Sequence, residues 1–146
     1  MTRIDFYILD TANPHSREKF ACRLIEKAQS QGHQIHVQSH GSQHAKLLDD
    51  LLWSFKSESF IPHAMSDSTD ALNCSVIIEH KASAATDHNV NDVLINFDTT
   101  VPVSFSQYSR VIEIVNKKDN SSIEGRSRYT YYKDRGYKME SHNIRG

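Results

Sequence analysis

Four histidines are the most obvious candidate ligands for a metal ion. His36, His40 and His44 recur every four residues, and His33 precedes them by three. On one continuous helix this spacing would place the imidazoles on one face, where they could bind zinc. However, His36 falls in a predicted strand, His40 in a loop and His44 at a helix start, so the four side chains need not converge. We therefore predict no metal site and assign these histidines to surface or partly buried positions.

The chain lacks the short motifs of nucleotide-binding and hydrolytic enzymes. The first predicted strand is followed by Asp-Thr-Ala-Asn-Pro at residues 10–14, where a dinucleotide-binding fold would carry glycines. There is no Gly-x-Ser-x-Gly motif, and neither Cys22 nor Cys74 has a recognisable catalytic partner. Asp10 has no second carboxylate nearby for magnesium binding or nucleophilic catalysis, so a turn or cap role is expected. We predict a protein without catalytic activity, metal or cofactor.

Composition limits the class of protein. The 146 residues are 38% hydrophobic and 24% charged, which is typical of one soluble globular domain. The formal net charge of −1 gives no overall attraction to nucleic acid, so any polyanion must bind at a local patch. No apolar stretch reaches the roughly 20 residues of a transmembrane helix, and the N-terminus does not resemble a signal peptide. We expect a cytoplasmic protein with free thiols and no membrane contact.

Apolar periodicity predicts alternating strands and helices. The predicted strands are 4–9, 35–38, 76–78, 93–95 and 111–115. The predicted helices are Pro14–Gln31, Ser42–Trp53 and approximately Ser121–Arg135. Asn13 is predicted to cap the first helix, and Gly32 and Gly136 to end the first and last helices. The polar segments Met65–Asn73 and Lys81–Asn91 are predicted loops.

The continuous apolar runs of these strands favour an α/β fold over a sheet with one wet face. We predict a single domain over residues 1–146, with a largely parallel sheet flanked by helices. The fold is expected to be Rossmann-like but without a nucleotide-binding loop.

The first candidate binding surface is an aromatic corner at the end of the second helix. It comprises the only tryptophan, Trp53, followed by Phe60, Ile61, Pro62 and His63. Pro62 disfavours helical geometry at Ile61, so Phe60 and Ile61 are expected to be extended. Large aromatic side chains supply much of the binding energy of protein interfaces, but they also fill cores. The residues alone leave both roles open.

The second candidate surface is the last predicted helix and its end, where cations and tyrosines alternate. The cations are Arg126, Arg128, Lys133, Arg135 and Lys138, and the tyrosines are Tyr129, Tyr131 and Tyr132. The residues that share one helical face are Arg126, Tyr129, Thr130 and Lys133. Such a face suits an acidic peptide ending in an aromatic residue, because a guanidinium grips a carboxylate while a ring shelters an apolar side chain. Single-stranded nucleic acid and a simple solvated face are the alternatives.

Nearly the whole chain resembles the chi subunit family of bacterial DNA polymerase III. The resemblance is carried by Leu48-Asp49-x-x-Leu52-Trp53-x4-Glu58-Ser59-Phe60-Ile61-Pro62-His63, by Phe6-Tyr7-Ile8-Leu9-Asp10 and by Arg126-x-Arg128-Tyr129-x-x-Tyr132. It is weakest between Ala64 and Asn91. It implies a single α/β domain that looks like a nucleotide-binding fold but binds no nucleotide. It also implies an accessory subunit of the replicative clamp loader with no catalytic activity of its own.

The resemblance further implies a heterodimer with the psi subunit, which joins the chain to the clamp loader. The psi-binding residues are expected to be Trp53, Phe60, Ile61, Pro62 and His63.

The resemblance also implies binding of the acidic C-terminal tail of single-stranded DNA-binding protein, so that DNA is contacted only indirectly. The expected tail-binding residues are Val115, Arg126, Arg128, Tyr129 and Lys133. Better-known members carry lysines at the positions of Ser122 and Thr130. The site is therefore expected to be weaker or rearranged here, with Arg128 and Lys133 as candidate substitute cations.

Overall fold

Seven strands and three α-helices make up the part of the chain that the structure, a computed structural model, describes: residues 2–54, 63–65, 74–79, 92–119 and 121–144. The strands are β1 (Arg3–Leu9), β2 (Ile35–Gln38), β3 (His63–Met65), β4 (Val76–Glu79), β5 (Val93–Asn96), β6 (Arg110–Asn116) and β7 (Lys138–Asn143). The helices are α1 (Ser16–Ser30), α2 (Ser42–Ser54) and α3 (Ser121–Asp134). A 3₁₀ turn covers Phe105–Gln107.

The strands form one sheet in the order β3-β4-β2-β5-β6-β1-β7, and every pairing is parallel. The predicted α/β fold with a parallel sheet is therefore confirmed, as are its five predicted strands. The two edge strands, β3 and β7, were not predicted. Met65, assigned to a loop, belongs to β3, which is only three residues long.

Helices cover both faces of the sheet. On one face, α1 and α2 bury Phe20, Ile25 and Leu48 against the alternate side chains of the central strands. On the other face, α3 buries Tyr132 in a second cluster that includes Phe6 of β1 and residues of β6. Successive residues of a strand point to opposite faces, so each strand contributes to both clusters.

Of the three residues predicted to cap or end a helix, Gly32 and Gly136 do so, and Asn13 does not. Gly32 and Gly136 follow their helices with φ of +86° and +78°, the left-handed conformation that glycine adopts without a steric penalty. The prediction that Asn13 caps α1 is wrong, because α1 begins at Ser16 and His15 precedes it without a side-chain cap. Instead the backbone N–H of Asn13 donates to the Thr11 hydroxyl at 3.2 Å, forming a tight turn after β1.

Helix α3 lies unusually close to β6 at Gly125. A Cβ atom at this position would be 2.5 Å from Cγ1 of Val115, closer than carbon atoms can approach without a shift. The glycine thus allows the helix to pack directly against the strand. None of the helices in the described ranges is long and apolar enough to cross a membrane.

Candidate functional site

A cavity of about 420 Å³ opens on the α3 face of the sheet, between the helix and strands β1, β6 and β7. Strand residues supply its apolar floor, and α3 and the turn after β6 supply its walls. The lining residues are Phe6, Ile8, Val115, Lys117, Ser122, Gly125, Arg126, Tyr129 and Ser141. The cavity therefore combines three of the predicted tail-binding residues, Val115, Arg126 and Tyr129.

Strand register and helix packing bring these residues together. Ile8 of β1 is paired with Val115 of β6, and their side chains point to the same face of the sheet. Tyr129 packs its ring edge-to-face against Phe6, with ring centroids 5.3 Å apart, and remains about one-third exposed. The result is a partly open aromatic wall over an aliphatic floor, which can receive one apolar side chain.

The electrostatics of the cavity favour an anion. Its lining contains two cations, Lys117 and Arg126, and no carboxylate. Both residues are exposed. Neither forms an ion pair with an acidic residue among those that the structure describes. An apolar floor beside two uncompensated cations suits a ligand with an apolar group next to negative charge.

The position of Thr130 contributes no donor to this cavity. Its hydroxyl donates to the backbone carbonyl of Arg126 at 3.0 Å, one helical turn earlier. Ser122 does line the cavity, half-buried, and offers a neutral hydroxyl.

Arg128 lies inside the protein, not on the surface. Its Nε donates to Oε1 of Glu113 at 2.8 Å and its Nη1 to the carbonyl of Thr99 at 3.1 Å. Two residues correspond to about 200° around a helix, so Arg128 points inward where Arg126 points outward. The prediction that Arg128 serves as a substitute surface cation is therefore wrong.

Glu113 is the acceptor that holds this buried network together, and no solvent reaches its side chain. Burial raises the pKa of its carboxyl group, even though donors from Arg128, Asn96 and Tyr132 favour the charged form. The network links β5, β6 and α3 beneath the helix.

Of the three tyrosines predicted to form an apolar surface, only Tyr129 lines the cavity. Tyr132 is fully buried and donates to Glu113 at 2.7 Å, and burial raises the pKa of its phenol. Tyr131 packs edge-to-face against Phe105, with centroids 5.9 Å apart. A continuous stacking platform for single-stranded DNA is therefore absent from the described surface of α3.

The remaining helix cations lie away from the cavity. The guanidinium of Arg135 sits 3.4 Å from the centroid of the Tyr131 ring and donates to the Tyr131 carbonyl. Lys133 is exposed, one turn beyond Tyr129 on the same helical face, but it does not line the cavity.

The aromatic corner is only partly described. Trp53 stands at the last turn of α2 with 56% of its surface exposed, so it does not fill the core. Its ring lies 4.9 Å from that of His63, centroid to centroid. Nε2 of His63 is 2.9 Å from Oδ1 of Asp49, so β3 and α2 meet beside the indole. The predicted partners Phe60, Ile61 and Pro62 lie outside the described residues.

The four histidines with metal-like spacing occupy separate environments. His33 is exposed before β2, whereas His36 is buried in β2 and contacts the Tyr108 hydroxyl. His40 and His44 stack on each other, with ring centroids 4.1 Å apart. The four imidazoles therefore do not surround one point.

A second cavity, of about 580 Å³, lies at the carboxyl ends of β1 and β6, where many α/β folds bind nucleotides. Its charged side chains are paired with each other or with neighbours. Arg17 lies 3.8 Å from Asp119, and Lys118 lies 3.7 Å from Asp10. The side-chain amide of Asn116 further joins the loop after β1 to the start of α1. These contacts stabilise the turns around the cavity.

A polar cluster that the sequence did not reveal lies between β1 and β7. Ligand atoms of Asp5, Glu140 and His142 lie within 4.8 Å of one another, a spacing that could hold a metal ion. However, Arg110 contacts Asp5 at 2.6 Å, and Arg3 bridges Asp5 and Glu140. Burial alone would raise the pKa of Asp5, but hydrogen bonds from Arg110, His142 and Arg3 lower it. The arginines thus already occupy these carboxylates, and the cluster attaches edge strand β7 to the sheet.

Comparisons with known proteins point to one family. Residues 1–140 match the family described as "DNA polymerase III chi subunit, HolC". The chain is 32% identical over 144 residues to the DNA polymerase III subunit chi of Pseudomonas aeruginosa, which covers 99% of this chain and 98% of the relative. It is 24% identical over 139 residues to the Haemophilus influenzae subunit, covering 95% of each chain. It is 22% identical over 145 residues to the Escherichia coli subunit, covering 97% of each.

A solved structure with low sequence identity shares the fold. The crystal structure of T4 UvsW matches 99% of this chain and 42% of its own length, with a TM-score of 0.68 and 12% sequence identity. At this identity the likeness shows a shared fold alone.

Proposed function

Because this chain belongs to the chi subunit family of DNA polymerase III, we propose that it is a non-catalytic subunit that bridges two other proteins during DNA replication. One surface binds the psi subunit and through it the clamp loader. The other binds the acidic C-terminal tail of single-stranded DNA-binding protein, so the contact with DNA is indirect. The bridge acts in the cytoplasm and requires no cofactor.

The observation that carries the proposal is the cavity beside α3. Its lining has two cations and no carboxylate over an apolar floor. In the proposed complex the guanidinium of Arg126 holds the terminal carboxylate of the tail. The last aromatic side chain of the tail packs between Val115 and the ring of Tyr129, and Phe6 supports that ring from below. Lys133, one turn further along the helix, contacts acidic residues outside the cavity.

The psi surface is proposed at the aromatic corner. A tryptophan that exposes 56% of its surface is unusual in a folded chain, and exposed indoles are typical anchors of protein interfaces. The indole lies against the His63 ring at 4.9 Å, and His63 itself is 2.9 Å from Asp49 of the same helix, so the exposed ring is positioned where α2 meets β3.

Replacing Arg126 by alanine tests the tail site. We expect the substitution to weaken binding of a fluorescent peptide of aspartates ending in phenylalanine by at least about tenfold, because a charge-assisted pair is lost. Fluorescence anisotropy measures the affinity. Arg135→Ala is the matched control, since this arginine lies on the same helix but is stacked on Tyr131. Equal affinities of wild type and Arg126→Ala, or equal losses in both variants, would contradict the site.

Replacing Trp53 by alanine tests the psi surface. We expect loss of co-purification with psi but unchanged binding of the acidic peptide, because the two surfaces use different elements. Val103→Ala is the control, since Val103 is also apolar and 74% exposed. Retention of psi by Trp53→Ala, or its unfolding by circular dichroism, would remove the indole from the proposed interface.

A further inference from the structure

The turn after β6 presents two consecutive lysines to two different cavities. Lys117 follows Val115 by two residues and lines the same 420 Å³ cavity. Lys118 instead lines the 580 Å³ cavity, where its ammonium group lies 3.7 Å from Asp10. The two side chains therefore have different surroundings although they are adjacent in sequence.

Backbone hydrogen bonds fix this arrangement. The N–H of Lys117 donates to the carbonyl of Leu9 at 2.9 Å, extending the contact between β6 and β1 by one residue. The N–H of Lys118 donates to Oδ1 of Asn116 at 3.0 Å. Because both peptide groups are held, the direction in which each lysine leaves the turn is set by the fold.

The charge of Lys117 is uncompensated, unlike that of Lys118. No described acidic residue pairs with Lys117, and no carboxylate lines the cavity. Arg126 approaches the same cavity from α3, so two cations on different walls face one apolar floor. Two like charges around one cavity create a positive potential that an anionic ligand relieves.

We propose that Lys117 is a specificity-determining residue of the peptide site, and this rests on the proposed function. Lys117 binds an acidic side chain that precedes the last residue of the peptide, while Arg126 binds the terminal carboxylate. One guanidinium can grip one carboxylate bidentately, so a second carboxylate a residue or two away requires a second cation. The site therefore selects peptides that carry an acidic side chain next to an apolar C-terminal residue, and not every free C-terminus.

The test compares three variants with two peptides. The variants are Lys117→Ala, Lys118→Ala and Arg126→Ala, and the peptides are the aspartate peptide ending in phenylalanine and its asparagine counterpart. We expect Lys117→Ala to weaken binding of the aspartate peptide about three- to tenfold and to leave the asparagine peptide unaffected, because a single contact between charges is removed. Lys118→Ala should bind both peptides like wild type. The dependence of affinity on salt should also become shallower in Lys117→Ala.

Each outcome separates the inference from the proposed function. If Arg126→Ala loses the aspartate peptide but Lys117→Ala binds it like wild type, the role of Lys117 is refuted and the tail site stands. Equal losses in Lys117→Ala and Lys118→Ala would show a general charge effect and also refute it. If wild-type protein binds neither peptide, the proposed tail site and the role of Lys117 both fail.

Discussion

Arg126 and Arg128 are two residues apart on α3, yet replacing each by methionine should give opposite results. Methionine keeps an unbranched apolar stem and removes the charge. Arg126→Met should fold normally and lose the acidic peptide. Arg128→Met should instead lose stability, because it leaves the carboxylate of Glu113 buried without its cationic partner.

The size of the effect follows from the burial of the pair. Arg128 is 5% exposed and Glu113 is 0% exposed. Removing one partner of a buried ion pair costs about 3–5 kcal/mol, whereas an exposed substitution usually changes stability by less than about 0.5 kcal/mol. For a chain of this size the loss corresponds to a fall in Tm of roughly 6–20 °C.

Urea denaturation at several pH values measures the effect and its origin. Burial raises the pKa of Glu113 above the ordinary value of 4.5, so ionisation of this carboxyl group destabilises the folded state. Removing Arg128 raises that pKa further, because its favourable charge is lost. When the pKa of an acidic group is higher in the folded than in the unfolded protein, the folded protein loses stability as the pH rises toward that raised pKa. The deficit of Arg128→Met should therefore be largest near neutral pH and shrink as Glu113 becomes protonated at lower pH.

The double variant Glu113→Gln/Arg128→Met provides the control, since it removes the buried charge together with its partner. It should recover part of the stability lost in Arg128→Met. Equal unfolding midpoints for Arg126→Met and Arg128→Met at neutral pH would refute the argument, because they would mean that both arginines are solvated.

Three further outcomes are expected. Gly125→Ala should destabilise the protein by about 1–3 kcal/mol in urea denaturation, because the new Cβ would lie 2.5 Å from a side-chain carbon of Val115. Replacing glycine by alanine within a helix usually stabilises it, so a gain in stability here would show that α3 can move away from β6 at no cost. Asp5→Asn should lower the free energy of unfolding at pH 7 but less so below pH 3.8. The pKa of Asp5 is lowered in the folded protein, so the stability that its ionised carboxylate contributes is lost as the pH falls through that pKa. A difference in stability between wild type and variant that does not change with pH would contradict this prediction. Leu52→Ala should lower the free energy of unfolding by about 2–5 kcal/mol, because Leu52 is only 2% exposed. Trp53→Ala should leave the unfolding midpoint nearly unchanged, because Trp53 is 56% exposed. Equal unfolding midpoints for the two variants would refute this difference.

The sequence predicts the central strands well because they carry continuous β-branched and aliphatic runs. Val111–Val115 and Ile35–Gln38 are buried along their length, and both were predicted within a residue of their observed bounds. Strand β7, with the sequence Lys-Met-Glu-Ser-His-Asn, has no such run, since it lies at the sheet edge and pairs only with β1. Besides its backbone pairing with β1, it is held by the ion pairs around Asp5, and pairs between residues more than 130 positions apart leave no local pattern.

The candidate site could be predicted only in part, because only some of its residues are brought together by local sequence spacing. Val115, Arg126 and Tyr129 lie close in sequence, and helical spacing alone brings the last two to one face. Phe6 and Ile8 join them only through the register of β1 against β6, which periodicity does not reveal. Lys117 was missed because its direction depends on how the turn leaves the strand.

The sequence predicts Arg128 at the surface because a run of charges and tyrosines on a helix is typical of a solvent-exposed face. The inner face of α3 is itself polar, since it presents an arginine and a tyrosine to Glu113. This buried face also explains how the orientation of α3 beside the cavity is fixed. The guanidinium of Arg128 and the hydroxyl of Tyr132 contact the two different oxygens of one carboxylate, and a helix can satisfy both contacts in only one rotation about its axis. That rotation turns Arg126 and Tyr129 toward the cavity, so Glu113 positions the two candidate binding residues although it does not line the cavity itself.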